Sequence, residues 1–511
     1  MLPPTVHEQA AEPDLGSGPL WHRPRWFTTL FLTDLWERFS FYGMMGILYL
    51  FAVAPRDTGG LAQSPATATA VVGAYLSVVF LASVPGGWLG DRVLGTRRAT
   101  LYGAVLIMLG HTTMAFPARW PVFAGMALIA AGTGLLKPNL AALLGGMYPR
   151  SARGPRDAAF ALFYMSIQVS AIAGPLVTGL LGEKIDWHLG FAAAAVGMLF
   201  GILQYVRGAV HFGDVGLRPE RPATSAELRR VLVLGGTGGA VLLLGFGADA
   251  LAGTFRIGHV LAVTGLLSVV APIIAFTLLL RHRAIRTVDR VRVGAYVWVF
   301  LSSAVFWMLY VQTGTVLAGF ADVSTDRGVA GFTVPASWFQ SVVPFFVLVF
   351  APVAARFWLR AGDRASGPVK LSLGLACVGL SMVVMAAAAA AAAGGVRVSP
   401  LWLVAALAVH AVGEVTFAPV GISMTTGAAP PAFMSQMVAL FWLSAALGAG
   451  VGGHAVDLSG GDSPAPGFFL ALGLPAFLAA AALLAFARPL KRRLQAGSTS
   501  HRAFTAPRSR L

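Results

Sequence analysis

An all-α integral membrane protein of fourteen transmembrane helices is the fold class this sequence predicts, and three observations predict it. Of its 511 residues, 57% are hydrophobic and only 11% are charged, with a mean hydropathy of +0.74. That balance belongs to a membrane protein rather than to a string of soluble domains. Apolar stretches of about 18 to 27 residues recur along the chain, each long enough to cross a bilayer as a helix. The basic residues, finally, fall on alternate loops.

The first six stretches lie near 27–51, 66–90, 99–115, 121–146, 158–182 and 189–206, and two more near 230–251 and 258–281. Six follow near 293–318, 335–360, 369–393, 400–426, 434–456 and 467–487. The positive-inside rule tests this assignment, because cytoplasmic loops should hold the Lys and Arg. With both termini inside, Arg56, Arg119, Lys184, Arg256, Arg327 and Arg397 fall outside, and Arg38 and Lys137 fall within spans. The remaining 29 of the 37 basic residues sit in cytoplasmic segments or at their membrane edges. A helix missed early in the chain would destroy that pattern. The formal charge of +16 is therefore a topology signal and an attraction to anionic lipid, not a nucleic-acid footprint.

Residues 1–25 read as a polar cytoplasmic tail without a cleavable signal peptide, so the first span itself targets the chain to the inner (cytoplasmic) membrane. Residues 488–511 read as a basic, disordered cytoplasmic tail. A lone Cys377 in an apolar span excludes an intrachain disulfide.

The first span carries Asp34-Leu-Trp-Glu37-Arg38 where hydrocarbon should be. Each charge costs roughly 2.5 to 3.5 kcal/mol at a helix centre, so the cluster faces a protein interior or a water-filled path, which points to transport. Asp34 and Arg38 are spaced i, i+4 and share a helix face with Glu37 beside them. The loop after the second span, Gly86-Gly87-Trp-Leu-Gly-Asp91-Arg92, has small residues that let helices approach and an acid that can meet a helix end or an Arg. Lys137 in the fourth span and Glu414 in the C-terminal part of the chain are isolated charges in apolar helices, each needing an opposite partner that the other would supply. Three acids then stand against two bases. The surplus carboxylate is poised to take up and release a proton at physiological pH.

Internal symmetry divides the chain. Phe163-Tyr164-Met165-Ser166 matches Phe441-Trp442-Leu443-Ser444 at an offset of 278 residues, and Lys137-Pro138 has its counterpart around Glu414 and Ala418-Pro419. Paired halves with Pro-interrupted helices point to a midplane site in a secondary transporter. The expected organisation is an N-terminal six-helix bundle (26–206), a linker with two inserted transmembrane helices (207–292) and a C-terminal six-helix bundle (293–487).

The loop with Gly87, Asp91 and Arg92 resembles the cytoplasmic gate loop of the major facilitator superfamily. Longer strings are more specific: Glu37-Arg38-Phe-Ser-Phe41-Tyr42-Gly, Gly132-Thr-Gly-Leu-Leu-Lys137-Pro138-Asn139, Pro335-Ala-Ser-Trp-Phe-Gln-Ser341, Gly367-Pro-Val-Lys370 and Gly413-Glu414 with Ala418-Pro419. They resemble the proton-dependent oligopeptide transporters (the POT/PTR family) from about residue 26 to 487. The resemblance implies a major facilitator superfamily fold and a monomeric proton symporter that imports di- and tripeptides by rocking two bundles around a central cavity.

On that resemblance, Arg38 and Lys137 hold the peptide carboxylate, Glu414 receives its amine or pairs with Lys137, and Glu37, Glu414 and Asp34 couple protons. Tyr42, Tyr75, Tyr164, Trp307 and Trp442 are candidate aromatic walls, and Gln168, Gln312 and Ser423 complete the candidate substrate-binding set. His410 lies i, i+4 from Glu414 but reads as a packed neutral histidine, and His111 and Asp249 are given no role.

The departures matter as well. Asp34 stands where the family has Glu, Phe41 and Phe80 where it often has Tyr, and Gln168 where it has Asn. Met45 and Val311 stand where a charged pair often closes the extracellular gate, so that gate should close by packing. The alternative function is the same fold moving another anionic or zwitterionic solute, such as a modified peptide, a peptide-like drug or nitrate, inward or outward. No metal-ligand cluster, P-loop or Gly-x-Ser-x-Gly supports an enzyme, and no cofactor is expected beyond the proton gradient.

Overall fold

In lipid, each spanning segment must satisfy its own backbone polar groups, and apolar segments of this length do so as helices. The computed structural model describes residues 23–148, 153–219, 221–362, 365–456 and 465–496, so the distal tails (1–22 and 497–511) lie outside the described residues. The first group of helices is α1 (Arg25–Val53), α2 (Pro65–Leu89), α3 (Thr96–Met114), α4 (Arg119–Gly146), α5 (Arg153–Lys184) and α6 (Trp187–Gly208). Next come α7 (Ser225–Leu251) and α8 (Ile257–Arg281). The remainder are α9 (Thr287–Thr313), α10 (Val316–Ser324), α11 (Val342–Ala361), α12 (Gly367–Ala391), α13 (Leu401–Ala428), α14 (Met434–Gly453), α15 (Pro466–Ala485) and α16 (Ala487–Leu494).

Among the described residues, twelve helices are long and apolar enough to cross a membrane. Each predicted span coincides with a long helix, but α1 and α3 fall short of that measure. Their composition is the reason: α1 carries Asp34, Glu37 and Arg38 at mid-length, and α3 opens on Thr-Arg-Arg and closes on His-Thr-Thr.

Three segments differ from expectation. The stretch expected over 293–318 ends as helix at Thr313, where Thr315 at φ −125°, ψ −90° turns the chain into the short α10. A two-residue hairpin, β1 (Gly328–Val329) with β2 (Phe332–Thr333), then precedes a 3₁₀ turn over Ala336–Ser341. Its turn places Ala330 at φ +48° and Gly331 at φ +83°, the left-handed pair that matches the strands' twist. Finally, the basic tail does not begin in disorder at Arg488. Leu490 and Leu494, one helical turn apart, are buried along α16, while Lys491, Arg492 and Arg493 occupy its last turn, where the helix dipole favours cations. Arg292 Nε donates to the Ala496 carbonyl at 2.5 Å and pins the helix end.

The helices pack as two groups, α1–α6 and α9–α15, while α8 lies against α2 and α14 and α7 buries none of its residues. The described chain ends share one face, here the terminal face; the β-hairpin lies on the opposite, hairpin face. On the hairpin face the groups meet through α2 and α14. A Cβ on Gly73 would lie 2.5 Å from the Ala449 carbonyl oxygen and 2.5 Å from Gly453 Cα, so only glycine permits this approach. Ser77 Oγ donates to the Ala446 carbonyl at 2.6 Å in the same seam.

Overpacking such a contact costs about 1–3 kcal/mol, so Gly73→Leu should raise the population with parted hairpin faces by roughly 5- to 150-fold. Spin labels at the exposed Phe116 and Val396, one on each group, would report it by double electron–electron resonance. An unchanged distance distribution would show that the Gly73 contact does not hold this face shut.

Candidate functional site

Adjacent residues on a helix point about 100° apart, so Glu37 and Arg38 can meet only by bending toward each other. They do: Arg38 Nε lies 2.6 Å from Glu37 Oε2 and 3.8 Å from Asp34 Oδ1. The Glu37 contact is an ion pair without hydrogen-bond alignment, which leaves both Glu37 carboxylate oxygens without a hydrogen bond in a fully buried position. Asp34 is held from the neighbouring helix, where Ser166 Oγ of α5 donates to its Oδ2 at 2.6 Å. The three charges therefore form one compact cluster inside the first group.

Arg38 and Asp34 face a cavity of about 550 Å³ between the two groups, which Lys137 of α4 and Glu414 of α13 also line. Glu37 does not reach it and sits behind Arg38. Lys137 and Glu414 share the cavity without forming an ion pair, contrary to the pairing expected of two isolated charges in apolar helices. Lys137 Nζ instead stands 4.6 Å from the Trp442 ring centroid and 5.3 Å from that of Phe80, two rings stacked 5.6 Å apart. Such cation–π contacts are worth on the order of 0.5–2 kcal/mol and join the first group to the second. Glu414 Oε2 is buried without a hydrogen-bond partner among the described residues.

Of the other expected residues, Tyr42, Tyr164, Gln168, Trp307 and Trp442 line the cavity. Tyr42 faces Tyr310 of α9 across the cavity that both line. Tyr75, Gln312 and Ser423 lie elsewhere, Tyr75 buried with its hydroxyl unpaired among the described residues. Gln312 is fully buried behind the wall, where its Nε2 donates to the Gly452 and Met308 carbonyls, and Ser423 lines a separate cavity at the terminal face. Tyr310, Phe306 and Gln340 are lining residues the sequence reading missed. Tyr310 follows Trp307 by one helical turn, a spacing that would have placed it on the same face.

Gly87 lies over Pro138, and Asn139 Nδ2 donates to the Gly86 carbonyl at 3.0 Å, so the glycine-rich loop seats against the Lys137 helix. Its Arg92 bonds Glu227 Oε1 at 2.8 Å and the Arg221 carbonyl at 3.2 Å. That basic residue of the loop is thereby tied to the start of α7. His410 packs between Phe306 and Tyr310, and His111 is likewise buried, both without hydrogen bonds among the described residues.

The cavity is asymmetric. Toward the terminal face its lining residues Phe160, Tyr164 and Ile422 are exposed. Toward the hairpin face it is shut by the Gly73 seam and by a polar latch that the sequence reading did not anticipate. Glu183, at the end of α5, accepts from the amides of Ala336 (2.7 Å) and Ser337 (2.8 Å) and lies 3.5 Å from Arg327 Nη1. Ser341 Oγ and Trp338 Nε1 add bonds to the Ile172 and Leu176 carbonyls of α5.

Two helical groups sealed along one face, with a charged cavity open toward the other, define a membrane transporter and not an enzyme. The family profile described as PTR2: POT family matches residues 97–463. The chain belongs to the POT family. A di-/tripeptide transporter of Lactococcus lactis subsp. cremoris is 36% identical over 432 residues, covering 83% of this chain and 87% of that one. The crystal structure of the peptide transporter POT in complex with sulfate is 37% identical with a TM-score of 0.88, covering 93% of this chain and 97% of the other. That of a POT family transporter in complex with 5-aminolevulinic acid is 30% identical with a TM-score of 0.87, covering 92% and 98%.

Stranding the two amides capped by Glu183 should cost about 1–3 kcal/mol, so Glu183→Ala should speed hydrogen exchange at Ala336 and Ser337 by roughly 5- to 150-fold. Peptide-resolved exchange mass spectrometry would measure it. Unchanged protection of that segment would remove the latch from the closure of the hairpin face.

Proposed function

We propose that the protein is a proton-coupled symporter importing di- and tripeptides by alternating access. One observation carries the reading: a single cavity presents Arg38 and Lys137 from one helical group and Glu414 from the other. A short peptide in its zwitterionic form has a carboxylate for the first and an amine for the second. A volume of about 550 Å³ suits a ligand of that size.

The division of labour follows from the charges. A peptide carboxylate draws Lys137 Nζ off the Phe80 and Trp442 rings and loosens that tie between the bundles. A proton on Glu37 weakens its pair with Arg38, freeing the guanidinium for substrate, while Ser166 keeps Asp34 in place as a second acceptor. Glu414, with an unsatisfied oxygen, takes either the peptide amine or a proton. Such a cycle needs substrate and proton to bind the two states with different affinities.

In this reading α1 and α3 also cross the bilayer, giving fourteen spans: their 29 and 19 residues reach about 43 and 28 Å as helix. The bundles 26–206 and 293–487 rock about the site, and 207–292 carries the inserted pair. The abundance of Lys and Arg on the terminal face makes it cytoplasmic, with the protein a monomer in the inner membrane and the proton gradient its driving force. A second reading, transport of another anionic or zwitterionic solute in either direction, is favoured by the apolar walls at Phe41, Phe80 and Val311.

Proteoliposomes under an imposed inward proton gradient, offered labelled dipeptides, tripeptides and nitrate, test the function directly. Gradient-dependent peptide accumulation is expected; accumulation that ignores the gradient would sink symport, and nitrate uptake without peptide uptake would select the second reading. In the same vesicles Glu414→Gln should reduce accumulation to the level reached without a gradient while counterflow exchange persists. Undiminished accumulation would take Glu414 out of the coupling.

A further inference from the structure

The Gly367-Pro368-Val369-Lys370 string has no part in the central cavity, yet it lines a second one of about 420 Å³ on the terminal face. The start of α12, the end of α13 and α16 enclose this space. Lys370 and Lys491 both line it, and no carboxylate does among the described residues. Among the described residues neither lysine has an ion-pair partner, and both are half-buried. Two lysines on the wall of one concavity make it a setting that an anion complements.

Other features agree. Lys370 is held in position over the Trp358 ring, 4.9 Å from Nζ to centroid. α12 begins at this cavity, and among the described residues its N-cap Ser366 makes no side-chain hydrogen bond, so the positive end of the helix dipole meets the cavity. Ser423, which the central cavity does not use, adds a hydroxyl to the wall. α16 is not a loosely attached basic tail, because Leu490 and Leu494 are buried and Arg292 fixes its end at Ala496. Lys491 is thus presented by a docked element.

From these observations we infer that the α12–α13–α16 cavity is a binding site for a phosphate group, engaged by Lys370 and Lys491 from two sides. Ammonium groups on separate walls suit a multi-oxygen anion that can meet both at once, whereas a planar carboxylate is better matched by an arginine fork. Val420, Met424 and Leu494 give the cavity an apolar wall beside the charged one, which fits a phosphate carried on the glycerol of an anionic phospholipid; inorganic phosphate would use the same two lysines. The inference is independent of what the central cavity transports.

Full-length protein in a zwitterionic detergent, examined by native mass spectrometry with phosphatidylglycerol or phosphatidylcholine, tests it. Selective retention of one phosphatidylglycerol is expected, with retention falling about thirtyfold in the Lys370→Gln, Lys491→Gln double variant. Gly427→Phe should do the same with both lysines intact, because a side chain there enters open space on the cavity wall. The Lys370→Arg, Lys491→Arg variant should keep the adduct, and so should Arg492→Gln, Arg493→Gln, which removes equal charge from exposed positions outside the cavity. Competition by millimolar inorganic phosphate would identify the free anion as a ligand, and its failure to compete would assign the site to lipid. Equal retention of phosphatidylcholine, full retention in the double glutamine variant, or equal loss in the Arg492/Arg493 variant would overturn the site.

Discussion

Everything at the centre of this protein follows from one shared guanidinium. Arg38 lies against both Glu37 and Asp34 on a single helix, all three of them buried, so two carboxylates divide one cation. With Arg38 engaged, Lys137 rests on aromatic faces and Glu414 keeps an unsatisfied oxygen. The cavity is therefore built with charges that do not cancel within it. Buried charge left in that condition is costly, and a peptide zwitterion with a proton would relieve it, which is why the proposed substrate and coupling ion are read from the same residues.

Closure of the hairpin face uses different physics from the site it covers. The α2–α14 seam depends on backbones approaching through Gly73, and the polar part of the closure consists of Glu183 holding two main-chain amides. Met45 and Val311 lie on the cavity wall as apolar groups. Van der Waals contact and amide capping both depend steeply on distance. A face held in this way is either shut or open, and this structure has it shut while the opposite end of the cavity is exposed.

The phosphate site proposed on the terminal face would place a lipid-sensitive element at the foot of α12 and α13. Glu414 lies on that same α13, about two and a half turns before Ser423. An anion held there would brace the terminal-face end of one proposed half without entering the central cavity.

Much of this was legible from residue order. The long helices follow from hydrophobic length and the central charges from their cost in hydrocarbon, because each depends only on local composition. Asp34, Arg38, Lys137 and Glu414 were found that way and do meet at one cavity. Which charge pairs with which was decided only by tertiary structure. Lys137 rests on Trp442, 305 residues away, and not against Glu414, and Gln312 turns from the cavity to the Gly452 carbonyl. The Glu183 latch and the cavity shared by Lys370 and Lys491 were equally invisible, for the same reason. Hydropathy and charge cost can be read along the chain, but partners brought together from distant segments depend on how helices rotate and approach, and that is set only when the bundles pack.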